Sequence, residues 1–183
     1  MIMKKILLMA AFAVATLTAN AQVWVGGSLG FNSVTPKDGD AATTISFAPT
    51  VGYNLSDNLA IAIELGVVSE NKFATGNGAS KFGMTVAPFA RYTFFKSGIA
   101  SLFIDGGFGL NTYKYDISGS DSQTGWHVGV RPGLAISLSE KCSIVATMGY
   151  LGYQKGNKAN GEYNRFALNA NGNGLNFGFY YTF

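Results

Sequence analysis

Leu175-Asn176-Phe177-Gly178-Phe179-Tyr180-Tyr181-Thr182-Phe183 ends the chain, and its reading decides the fold. Leu175, Phe177, Phe179, Tyr181 and Phe183 alternate with Asn176, Gly178, Tyr180 and Thr182. A side-chain period of two is the mark of a strand, because successive Cβ atoms point to opposite faces. One face here is wholly apolar and aromatic, and the other is small or polar.

The same alternation recurs upstream. Val23, Val25, Leu29 and Phe31 share a face in the first such stretch, with Trp24, Gly26, Ser28, Gly30 and Asn32 behind them. Ile45 to Tyr53, Leu59 to Val67, Phe82 to Phe94 and Trp126 to Leu138 repeat the pattern, and Leu102 to Leu110 follows it more weakly. A seventh stretch puts Ile144, Ala146, Met148 and Tyr150 on the apolar face, with Val145 and Leu151 on the other. With the C-terminal stretch that makes about eight strands, each long enough to cross a hydrocarbon layer when tilted by roughly 40°. In the eighth, Phe166 and Leu168 have the opposite parity to Leu175, and a bulge near Asn171 to Gly174 would reconcile them. Tight turns are expected at Ser56-Asp57-Asn58, Lys96-Ser97-Gly98 and Ser139-Glu140-Lys141, and longer polar loops over 33–43, 69–80, 113–124 and 153–165.

The charges decide which face meets what. On this parity no Asp, Glu, Lys or Arg falls on the apolar face of any strand. A Lys or Arg facing mid-bilayer would cost about 2–4 kcal/mol, whereas a soluble sandwich or barrel needs a wet outer face. The polar, glycine-rich face is therefore expected inside, and the chain is expected to fold as an all-β, eight-stranded antiparallel up-and-down transmembrane barrel.

The N-terminus agrees. Lys4 and Lys5 precede an apolar run from Ile6 to Leu17 and then Ala19-Asn20-Ala21, the n-region, h-region and cleavage site of a secretory signal peptide. The expected organisation is a signal peptide over 1–21 and one barrel domain over 22–183. No cysteine lies near the cleavage site, which argues against a lipoprotein anchor, and Cys142, the single cysteine, rules out an internal disulfide. Of 13 basic side chains, Lys4 and Lys5 leave with the signal peptide; the remaining 11 against 10 acidic ones give no pull toward nucleic acid.

With these features on the page, the sequence resembles the OmpA/OmpX-like eight-stranded outer-membrane β-barrel family over essentially all of 22–183. The terminal Phe177, Phe179, Tyr181 and Phe183 look like the aromatic signal that the outer-membrane assembly machinery reads. The chain ends at this strand, so the resemblance implies no periplasmic peptidoglycan-binding domain, and it implies no catalytic residues.

Four charged residues fall on the inner face with alternating sign: Glu64, Arg91, Asp105 and Arg131. A structural ion-pair network in the lumen is expected, because a buried unpaired ion costs several kcal/mol and eight strands enclose an interior that side chains fill. Phe89, Phe103, Val145 and Leu151 are expected to pack with it. The alternative is a charged constriction in a small, porin-like channel. His127, the only histidine, lies near the loop carrying Asp116, Ser118, Ser120, Asp121 and Ser122, parts from which a lipid-modifying enzyme could be built. Such residue types fill any polar loop, so His127 reads first as a rim or lumen histidine. Asp38-Gly39-Asp40 reads as a turn rather than a calcium site, and Gly26-Gly27-Ser28-Leu29-Gly30 lies within a strand and cannot be a phosphate loop. No cofactor, metal site or enzymatic activity is expected. Partners are expected to be outer-membrane lipid and lipopolysaccharide, the barrel assembly machinery and an extracellular ligand at the loops.

Overall fold

A computed structural model of the chain describes residues 22–35, 40–71, 80–116, 122–156, 163–169 and 176–183. The expected signal peptide, and the bulge expected near Asn171 to Gly174, lie outside them. The described elements are β1 (Val23–Val34), β2 (Ala42–Asn54), β3 (Leu59–Glu70), β4 (Lys81–Ser97), β5 (Ala100–Tyr115), β6 (Gln123–Ser137), β7 (Cys142–Thr147), β8 (Tyr150–Gly156), β9 (Tyr163–Asn169) and β10 (Asn176–Thr182).

These ten segments make eight wall strands. From β1 to β6 each strand pairs antiparallel with the next. The inner-leaflet part of β6 then pairs with β7, and its extracellular part with β8. β8 pairs with β9, while β10 pairs with β7 on one side and β1 on the other. That last pairing closes an eight-stranded antiparallel barrel. Closure is the physical requirement for strands in hydrocarbon, where an unpaired N–H or C=O has no water to bond.

The turns are built locally. At one end of the barrel the Ser56 hydroxyl accepts from the Leu59 amide at 3.2 Å, and the Ser139 hydroxyl accepts from the Cys142 amide at 3.1 Å, so two of the three expected turns use one serine device. The third turns on Gly98 at φ 56°, a left-handed conformation that favours glycine. At the other end the strands run further than the parity stretches suggested, into the segments read as loops; β3 reaches Glu70 and β5, with 16 residues, reaches Tyr115.

The outward face is apolar. Ile45, Phe47, Ile61, Ile63, Leu65, Phe82, Met84, Val86, Leu110, Ile144 and Phe179 are all exposed. Among the described strands, the outward register carries charge only at Lys114 and Lys155, close to the extracellular ends. The side chains buried most deeply instead include Phe103, Asp105, Trp24 and Phe89, all inside the barrel.

One expectation is corrected. The alternation read from Ile144 through Tyr150 breaks between β7 and β8, where Gly149 takes φ 69°. Leu151 pairs with Val130 and faces out, and Tyr150 turns inward, where its hydroxyl donates to the Val128 carbonyl at 3.0 Å. The reason is a bulge: the extra residue shifts the alternation by one and exchanges the faces of everything beyond it.

Candidate functional site

The lumen is packed by a rule that operates pair by pair across neighbouring strands. Trp24 stands opposite Gly52, Tyr180 opposite Gly26, Phe89 opposite Gly107, Phe103 opposite Gly133, Tyr113 opposite Gly83 and His127 opposite Gly109. In each case a Cβ on the glycine would fall within 3.0 Å of the facing side chain. The large side chains lie flat across glycines because a narrow barrel has no other room for them.

Four of these rings surround the first ion pair. Arg91, Asp105 and Arg131 share a rung across β4, β5 and β6. Arg91 Nε and Nη2 donate to the two carboxylate oxygens of Asp105 at 2.7 and 2.8 Å, the parallel fork that a guanidinium and a carboxylate form best. The guanidinium carbon lies 3.8 Å from the Phe103 ring centre, 5.2 Å from Tyr180, 5.5 Å from Trp24 and 5.7 Å from Phe89. Trp24 and Tyr180 are themselves 4.6 Å apart, so the ring cage joins β1 and β10 at the closing seam. Asp105 is 2% exposed and Phe103 1%. Desolvated cation–π contacts of this kind contribute about 2 kcal/mol, and the fork satisfies the buried charge.

Glu64 does not pair with a neighbour on the adjacent strand. It reaches across the lumen to Arg131, with Arg131 Nη1 and Glu64 Oε1 3.7 Å apart. The structure thus brings the four expected charges into one region as two pairs, one tight and one loose.

Above them the lumen opens. A cavity of about 270 Å³ is lined by Glu64, Thr85, Asn111, His127, Arg131, Tyr150 and Gln154, among others. Thr85 donates to the Asn111 side-chain oxygen at 2.8 Å, and the Asn111 amide nitrogen lies 3.1 Å from His127 Nδ1. His127 is therefore a lumen histidine whose described partner is an amide rather than a carboxylate. Ser118, Ser120 and Asp121, named with it, lie outside the described residues, as do Asp38 and Gly39 of the first loop.

A third pair was not anticipated: Lys81 Nζ lies 2.9 Å from Glu70 Oε1, with the ammonium 4.8 Å from the Tyr113 ring centre. Both residues continue the inward parity of β3 and β4, so extending the alternation by three residues in β3 and one in β4 would have found them. Cys142 is a free thiol, and no cluster of three or more metal-ligating side chains occurs among the described residues.

At the C-terminus, Phe177, Phe179 and Tyr181 lie in the outward register of β10, and the Tyr181 and Phe183 rings meet edge to face at 5.3 Å.

The family profile described as outer membrane protein beta-barrel domain matches residues 6–183. The chain belongs to that family. The outer membrane protein β-barrel family accounts for the inside-out arrangement of its faces and places the chain in the bacterial outer membrane. A solved structure of the same kind is that of Neisserial surface protein A, an eight-stranded outer-membrane barrel. It superposes with a TM-score of 0.60 at 16% identity, over 88% of this chain and 97% of that one. That likeness carries the barrel fold alone. No curated protein matches the chain.

Proposed function

We propose that this outer-membrane barrel is a surface-interaction protein of structural type, closed to ion flow, whose extracellular loops meet its partners. The observation that carries the reading is the Arg91–Asp105 fork inside its cage of four rings, which narrows the lumen on the periplasmic side to small separate spaces. A conducting constriction needs charges that face water and a continuous path, whereas here the charge is buried and spent on a partner. The Glu64–Arg131 pair extends the same structural network. On this reading residues 1–21 are a signal peptide removed on export. Outer-membrane lipid and lipopolysaccharide meet the apolar wall. Phe177, Phe179, Tyr181 and Phe183 form the strand end read by the assembly machinery, and the extracellular ligand binds at the loops. No catalytic role is assigned to His127, whose hydrogen bond to Asn111 supplies no base-orienting carboxylate.

Planar-bilayer recording tests this. The refolded protein is expected to give no steady conductance, and an Arg91→Ala/Asp105→Ala double variant is expected to give one. Steady conductance in the unaltered protein, with ion selectivity that changes when Arg91 is neutralised, would establish a pore instead.

A further inference from the structure

Two arginines on one rung are satisfied in different ways. Arg91 spends its donors on Asp105 under a roof of rings. Arg131 approaches Glu64 no closer than 3.7 Å, beyond the about 2.7–3.2 Å of an N–H···O bond, and its side chain keeps 30% of its surface open. It forms the floor of the 270 Å³ cavity whose walls carry Asn111, His127, Tyr150 and Gln154. Toward the extracellular end that space continues into a recess of about 340 Å³ between Lys81, Tyr113, Gln123 and Gln154. Glu64, Asp105 and Arg131 also border a smaller space of about 150 Å³ on the side of the caged Arg91, and the well opens outward.

The charges around the well are not equally paired. Glu70 matches Lys81 at 2.9 Å and Asp105 matches Arg91. Arg165 stands in the inward register opposite Gln154, exposed, and no carboxylate lies within 4.0 Å of it among the described residues. Asp105 also lines the cavity and stands opposite Arg131, but both of its carboxylate oxygens are taken by Arg91, which leaves Arg131 only the loose contact with Glu64.

We propose that the well is a binding site for a small hydroxylated oxyanion, a sugar acid or sugar phosphate, held through its charged group by Arg131. A guanidinium takes a carboxylate or phosphate edge through two parallel hydrogen bonds. The Asn111 and Gln154 amides and the His127 imidazole supply the neutral donors and acceptors that hydroxyl groups need. The volume, somewhat below the about 300–1,000 Å³ of drug-sized sites, suits a single sugar unit. Glu64 competes with the ligand for Arg131, so the two residues act in opposite directions on binding.

His127 is the only histidine in the chain, so ¹⁵N-histidine labelling places one imidazole reporter inside the well. The refolded protein in an uncharged detergent is titrated with glucuronate, with glucose 6-phosphate and with glucose. The two anions are expected to shift the His127 signal saturably and glucose to leave it unmoved. Arg131→Gln is expected to weaken binding at least about tenfold, and Glu64→Gln to strengthen it. Mobility of the unboiled band on a gel verifies that each variant is folded; should Arg131→Gln fail there, the strengthening by Glu64→Gln decides alone. An equal response to glucose, no saturable shift, or affinity indifferent to Glu64→Gln would overturn the proposal. A shift produced only by lipid A vesicles would overturn the soluble ligand and assign the oxyanion to a lipid headgroup.

Discussion

At the scale of single residues, what distinguishes this lumen is that space and charge are settled together. Six inward rings stand opposite glycines, and four of them enclose Arg91. The glycines are therefore not interchangeable. Gly133 lies under Phe103, and Gly106, three rungs away in outward register, has its nearest neighbour, a Val130 methyl, 3.7 Å from where a Cβ would stand. Gly133→Ala is expected to destabilise the barrel by about 1–3 kcal/mol through overpacking, whereas Gly106→Ala should be neutral or slightly stabilising; urea unfolding in lipid vesicles measures both. That Arg91 and Asp105 share the inner face of neighbouring strands was legible in the sequence; which of the four charges pair was not, since Glu64 reaches across the lumen to Arg131. The cage was only half legible. Trp24 and Tyr180 sit on the inner parity of the first and last strands, but only the register of closure, Gly26 opposite Tyr180 and Trp24 opposite Gly52, shows that they meet at Arg91.

At the scale of elements, the strands with unbroken alternation were readable and the interrupted ones were not. β4 keeps one face apolar from Phe82 to Tyr92, and its exposed residues follow that parity. The seventh wall strand fails because the bulge sits at Gly149, one glycine among 24, and nothing in the residues around it announces a positive φ. Pairing also varies along the seam. β1 pairs with β10 only from Trp24 to Ser28, and beyond that no pairing joins it to β9 among the described residues. Leu29, Phe31, Phe166 and Leu168 are accordingly 79, 74, 72 and 73% exposed, more than any other apolar side chain described. Amides there have fewer partners to hold them, so local opening costs less. Hydrogen–deuterium exchange in bilayers is expected to be faster for Leu29–Val34 and for β9 than for β4 and β5; equal protection would show that the seam is as firmly paired as the rest of the wall.

At the scale of the whole molecule, the same sequence would be a poor soluble protein and is a consistent membrane one. Its apolar side chains face out, Arg91 and Asp105 pair inside, and its first and last described strands meet where β10 zips between β1 and β7. That arrangement follows from one physical fact, that lipid rather than water is the solvent for the outer wall. Spin labels placed one at a time from Met84 to Tyr92 on β4, with the protein in lipid bilayers, test it most directly. Accessibility to oxygen, which partitions into lipid, is predicted to peak at Met84, Val86, Pro88, Ala90 and Tyr92 and to fall at Thr85, Ala87, Phe89 and Arg91. A profile without that period of two, or with its phase reversed, would contradict an inside-out barrel.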